Sequence, residues 1–143
     1  MRFLAIDSGT VRCGLATCDP SESVVTPAGA IEVGRGPDLA ERLLAQAAAL
    51  QAEALLVGIP RNMDGTEGPR ARAAHALADR LEAIGPLPVF RFDEALTSFE
   101  ADLRLEEAGG RRGDPRRLRR TGRRDALAAA VLLERFLDHR RRP

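Results

Sequence analysis

The chain has 143 residues, 44% of them hydrophobic and 30% charged, which fits a single globular domain and excludes a wholly disordered polymer. No apolar run reaches the roughly 20 residues that span a bilayer, and the opening Met1-Arg2-Phe3-Leu4-Ala5-Ile6-Asp7 meets an acid too early for a secretory signal. The formal net charge of +1 hides a division, because residues 1–110 carry 10 Arg and 17 acids, a net −7, whereas residues 111–143 carry 12 Arg and 4 acids, a net +8.

In chain order, Phe3-Leu4-Ala5-Ile6-Asp7 and Gly14-Leu15-Ala16-Thr17-Cys18 are short apolar runs around the turn Ser8-Gly9-Thr10, the pattern of an antiparallel hairpin. Cys13 and Cys18 are an odd number of residues apart in this strand, so their side chains point to opposite faces, and a reduced, cytoplasmic protein is expected. A third strand is expected within Val24 to Val33, at a sheet edge or bulged near Pro27 and Gly29. From Asp38 to Ala54 the period becomes helical, with Leu39, Leu43, Ala47 and Leu50 on one face. The continuous apolar run Ala54 to Ile59, ended by Pro60, reads as a strand buried on both faces.

A polar loop, Arg61-Asn62-Met63-Asp64-Gly65-Thr66-Glu67-Gly68, precedes a second helix opened by Pro69 and reaching about Ile84. Leu87 to Phe92 is the next strand, delivering Asp93 and Glu94 at its C-terminal end. Thr97-Ser98-Phe99-Glu100 is a capping-box pattern for a third helix to about Ala108. Residues 109–124 hold four glycines, Pro115 and a run of arginines, which predicts a mobile Arg-rich loop. A last helix runs from near Arg124 to about His139. Hairpin strands followed by alternating strands and helices predict an α/β fold, one domain over residues 1–143, with a mixed sheet flanked by helices.

The acids at element ends carry the chemistry. Asp7 ends the first strand, Asp93 and Glu94 end a later one and point in alternate directions, and Asp125 opens the last helix on the face of Ala129 and Leu132. Singly, each is also explained as a turn former or a helix N-terminal acid. Together, at one sheet edge, they form a set for a hard divalent cation such as Mg²⁺ or Mn²⁺. Two such ions can activate water and stabilise the leaving oxygen in phosphodiester cleavage. The arginines, among them Arg116, Arg117, Arg119, Arg120, Arg123 and Arg124, would then grip backbone phosphates.

Four blocks lie in order along the chain: Leu4 to Ala16, Gly58 to Pro69, Phe92 to Ser98, and Asp125 to Ala129. Together they resemble the signature blocks of the YqgF/RuvX family. The resemblance implies an RNase H-like fold with a five-stranded mixed sheet, related to the RuvC Holliday junction resolvases. It further implies a cytoplasmic bacterial nuclease acting in 5′-end maturation of pre-16S rRNA, with DNA junction processing as an alternative. By position, Asp7, Asp93, Glu94 and Asp125 match the family's acidic site, and the Asn62 to Gly68 block matches its Gly-rich loop. Val11 stands where the family usually has a basic residue, and Ala95 where it has Arg; Arg12, Arg61 or the Arg-rich loop are candidates to compensate.

Glu94, with its longer reach, is favoured over Asp93 as the inward ligand, so that Asp7, Glu94 and Asp125 hold the metal. Asp64 and Glu67 are reserve ligands more simply read as loop formers. His75 and His139 read as surface positions. The expected partner is structured RNA such as pre-rRNA, or branched DNA, and not a membrane; a homodimer is left open. Asp7-Ser8-Gly9-Thr10 also resembles the phosphate-binding turn of sugar kinases and actin-like ATPases, but those close two domains on a nucleotide. A non-catalytic nucleic-acid-binding protein is the main competing reading, needing the Arg loop and not the acids.

Overall fold

Apolar alternation along the first strand decides which layer each residue joins. In the computed structural model, which describes residues 1–34, 36, 38–62, 64–93 and 122–142, β1 (Phe3–Asp7) buries everything but its last residue. Leu4 and Ile6 pack on one side of the sheet, and Phe3 and Ala5 on the other. β1 pairs antiparallel with β2 (Arg12–Cys18), with Asp7 opposite Gly14. β2 in turn pairs antiparallel with the edge strand β3 (Val25–Glu32). Gly14 faces Ala30 while Ala16 faces Pro27, so β3 carries one extra residue, a bulge at Ala28 and Gly29. Pro27, lacking an N–H, is accommodated at that edge.

α1 (Leu39–Ala49) starts where the Asp38 carboxylate accepts the Ala40 N–H at 2.8 Å, and it buries Ala40, Leu43 and Ala47. It ends short of the expected Ala54. Gln51 takes a left-handed φ of 58°, and the Ala52 N–H bonds back to the Ala47 carbonyl at 2.8 Å, closing the helix. β4 (Ala54–Ile59) is buried at every position and runs parallel to β1. α2 (Pro69–Ile84) has the predicted limits, with proline in its first turn and Gly85 after its last. β5 (Val89–Asp93) is parallel to β4, and α3 (Arg123–Arg141) closes the described chain.

The sheet order β3-β2-β1-β4-β5 is the expected five-stranded mixed sheet, with hairpin strands first and parallel strands after. α1 and α2 cover one face, packing Leu43, Ala74, Ala78 and Leu81 on Leu4, Ile6, Leu55, Val57 and Ile59. The other face receives α3, whose Ala129, Leu132, Leu133 and Phe136 pack on Phe3, Ala5, Ala16 and Leu56. Phe136 meets Phe3, Phe90 and Phe92 edge to face, with centroids 5.2–5.8 Å apart. Cys13 and Cys18 are free thiols buried on opposite faces, as the strand period requires. No helix among the described residues is long and apolar enough to cross a membrane. The expected helix over 97–108 and nearly all of the expected Arg-rich loop fall outside the described residues.

Candidate active site

The end of β1 and the start of α3 meet because one residue between them has no side chain. Asp7 follows Phe3 and Ala5 in alternation and so belongs to the face that α3 covers. Its cross-strand partner is Gly14. A Cβ on Gly14 would lie 1.9 Å from the Asp125 carbonyl oxygen and 2.3 Å from its carbonyl carbon. The first turn of α3 therefore rests directly on β2 beside Asp7. Gly122, just before the helix, holds φ at +71°, and a Cβ there would lie 2.7 Å from the Ala30 Cβ. The two close approaches seat the start of α3 across β2 and β3.

The result is an open cavity of about 420 Å³ lined by Asp7, the Ser8–Arg12 turn, Pro60, Arg70 and Asp125. Two carboxylates and two guanidinium groups share it. The Arg12 Nε donates to the Asp125 Oδ2 at 3.1 Å. The Arg70 Nη2 donates to the Ser8 carbonyl at 2.7 Å, tying α2 to the β1–β2 turn. Val11, at the rim, is 65% exposed. Arg70 was not among the residues expected at the site. The available signal is topological: it lies in the first turn of the helix leaving β4, whose C-terminal end neighbours that of β1.

The other candidates are placed differently. Asp93 is in register with Ile59, which packs against the α1/α2 layer, so Asp93 belongs to the face opposite Asp7. Its Oδ1 accepts from the Arg61 Nε at 2.9 Å, and Arg61 also approaches Glu67 at 3.4 Å. Arg61 thus pins the Gly-rich loop to the end of β5. Within that loop the Asn62 amide donates to the Thr66 hydroxyl at 3.1 Å. Asp64 accepts from the Thr66 hydroxyl and N–H at 2.6 and 3.0 Å, bonds that lower its carboxyl below the usual range. Glu67 reaches the His75 Nε2 at 3.1 Å. Asp64 is therefore engaged in an Asx-type turn, and Glu67 in contacts with the Arg61 and His75 side chains. Arg123 and Arg124 form the first turn of α3. Glu94, Arg116, Arg117, Arg119 and Arg120 lie outside the described residues.

Among the described residues, no group of three or more His, Cys, Asp or Glu side chains is close enough to hold a metal. The cavity offers two carboxylates with the hydroxyls of Ser8 and Thr10, and its lining contains neither His nor Cys. This oxygen-only donor set fits a hard cation such as Mg²⁺ or Mn²⁺ and not a soft one.

Residues 1–139 match the family described as "RuvX: Holliday junction resolvase". A relative from Anaeromyxobacter dehalogenans, named "Putative pre-16S rRNA nuclease", is 44% identical over 144 residues, covering 98% of each chain. One from Cereibacter sphaeroides with the same name is 36% identical over 136 residues, covering 95% of this chain and 82% of the relative. Among solved structures, Thermus thermophilus RuvC in complex with a Holliday junction aligns with a TM-score of 0.53 at 18% identity, covering 98% of this chain and 96% of that one. The fowlpox virus Holliday junction resolvase aligns with a TM-score of 0.56 at 9% identity, covering 97% and 99%. The last two likenesses are of fold.

Proposed function

This chain belongs to the RuvX family, and from that premise we propose that it is a divalent-cation-dependent nuclease cutting phosphodiester bonds of structured RNA in 5′-end maturation of pre-16S rRNA. The observation that carries the reading is the cavity in which Asp7 and Asp125 converge beside Arg12 and Arg70. Carboxylates from distant parts of the chain, meeting next to guanidinium groups, match a phosphodiester substrate in charge and in donor chemistry.

In this reading Asp7 and Asp125 hold the cation, and Glu94 completes the ligand set. A divalent cation supplies Lewis-acid polarisation of the phosphoryl group and a more acidic water; two such ions would serve the attacking and leaving oxygens separately. The chain's own contribution is positional. β1 fixes Asp7 at a rigid strand end, Gly14 admits the backbone that carries Asp125, and Arg70 braces the turn between them. Asp93, bound to Arg61 on the opposite face, holds the Gly-rich loop against β5. Arg116, Arg117, Arg119, Arg120, Arg123 and Arg124 supply sequence-independent phosphate contacts. A protein acting on pre-rRNA works in the cytoplasm.

The name carried by the curated relatives supports RNA as substrate, whereas the family's description supports branched DNA as the second reading. One assay addresses both. Purified protein is incubated with labelled precursor RNA or a four-way DNA junction, in Mg²⁺ or Mn²⁺. Asp7→Asn and Asp125→Asn are each expected to lose at least about 100-fold in rate, roughly 2.7 kcal/mol of barrier. Undiminished cleavage in both variants refutes the site. Absence of cleavage by folded wild type with either ion leaves nucleic-acid binding as the function.

A further inference from the structure

The Arg12–Asp125 pair occupies an unusual position for a surface ion pair. Its two backbones are fixed: Arg12 is hydrogen-bonded into the sheet opposite Glu32, and Asp125 sits on Gly14. Its two side-chain ends are not enclosed, being 22% and 34% exposed within the cavity. A partly exposed pair of this kind is worth only about 1.4- to 5-fold in an equilibrium. A doubly charged cation held by Asp125 would outcompete such a contact. Arg12, which lines the cavity, is then a guanidinium donor for an anion entering it, and a nucleic acid brings phosphates.

We infer that Arg12 is an exchangeable internal counter-ion: its guanidinium neutralises Asp125 in the cation-free protein and passes to a substrate phosphate when a divalent cation takes Asp125. This rests on the reading of Asp125 as a cation ligand. The exchange conserves charge where it matters. Without a cation, Arg12 offsets the charge of Asp125. With one bound, the same guanidinium becomes available to the polyanion, so substrate affinity rises with cation occupancy. Arg70, bonded to the Ser8 carbonyl, braces the turn in both states.

The test uses the full chain as wild type, Arg12→Ala and Arg12→Lys, each first shown to be folded by circular dichroism. Mn²⁺ alone is titrated calorimetrically. A fluorescent four-way DNA junction is then bound across a range of salt concentrations, in EDTA and in Mn²⁺, with its integrity verified on a denaturing gel. Arg12→Ala should bind Mn²⁺ about 1.4- to 5-fold more tightly, because the competitor is gone. Its salt slope should fall by about 0.9 in Mn²⁺, one phosphate contact, and stay at the wild-type value in EDTA. Arg12→Lys should keep the wild-type slope in both conditions.

A slope lowered equally in EDTA and Mn²⁺ would make Arg12 a permanent phosphate contact and overturn the inference. So would unchanged or weaker Mn²⁺ binding by Arg12→Ala, which would mean that Arg12 orients Asp125 for the cation. In either case wild type that still cleaves leaves the nuclease reading standing. Wild type that takes up no Mn²⁺ overturns both. If Arg12→Ala fails to fold, Arg12→Gln gives the same two readouts.

Discussion

Replacing Gly14 by alanine adds one methyl group at the point where α3 touches the sheet. The new Cβ would stand 1.9 Å from the Asp125 carbonyl oxygen, and ordinary contact begins at 3.4 Å, so the start of α3 must retreat by about 1.5 Å. The obstacle is backbone on both sides, and no side-chain rotation relieves it. Overpacking of this kind costs about 1–3 kcal/mol, while alanine's smaller unfolded-state entropy returns about 0.4–1 kcal/mol. A net destabilisation of roughly 1–2 kcal/mol is expected, visible as a lower urea midpoint. The functional effect should be larger, because Asp125 moves away from Asp7, and a displacement near 1 Å at a reacting site costs about 10²-fold. Gly34→Ala is the control: its added methyl meets nothing within 4 Å, so both stability and cleavage should hold. A folded Gly14→Ala protein cleaving within three-fold of wild type would refute the idea that this close approach sets the site.

Four further outcomes are expected. Arg70→Ala, which frees the Ser8 carbonyl, should raise KM more than it lowers kcat and be measurable in steady-state cleavage. Changing Arg116, Arg117, Arg119 and Arg120 together to Ala should flatten the salt dependence of binding by about 0.7–0.9 log units for each phosphate no longer neutralised; an unchanged slope would mean that they touch no phosphate. Leu132→Ala, truncating a fully buried side chain between α3 and the sheet, should cost about 2–5 kcal/mol in urea unfolding. Burial pushes the Cys13 and Cys18 thiols up from their ordinary 9.0, so the folded state keeps protons that the unfolded chain releases. Stability should be intact below pH 9 and decline above it. The chain has no Tyr, and all of its 22 basic residues are Arg; the thiols' share is the part of the difference between urea midpoints at pH 8 and 10 that a Cys13→Ala/Cys18→Ala protein loses.

The hairpin and most helix limits among the described residues were legible because local chemistry announces them, whereas the order of the strands across the sheet came with the family resemblance. Proline in the first turn and Gly85 after the last turn bound α2 at both ends, and the apolar run of β4 leaves no alternative to burial on both faces. The end of α1 was not legible. It depends on Gln51 adopting a left-handed conformation, which residue type alone does not favour. At the site, Asp7 and Asp125 could be named from their places at element ends. The sequence shows a glycine at position 14 but not that a helix backbone more than a hundred residues away needs the space. Arg70 escaped for the same reason, since its partner Ser8 is 62 residues distant. The direction of Asp93 was decided by strand register: pairing with Ile59 assigns it to the α2 side, where Arg61 meets it.

The near-neutral total of the chain takes on a local meaning at this cavity. Arg12 belongs to the acidic portion of the sequence and Asp125 to the basic portion, so each portion lends the cavity a charge opposite to its own excess, and the pair joins them across 113 residues. At physiological ionic strength, charges farther apart than about 8 Å are largely screened. On the proposed function, the surplus arginines of the C-terminal portion would therefore act on a polyanion mainly at contact and respond strongly to salt. The Arg12–Asp125 contact, at 3.1 Å and partly sheltered, is far less sensitive. Raising salt should thus weaken substrate capture well before it disturbs the cavity's own charge arrangement. Salt is expected to act first on the arginine contacts made to a nucleic acid and only later on the Arg12–Asp125 pair.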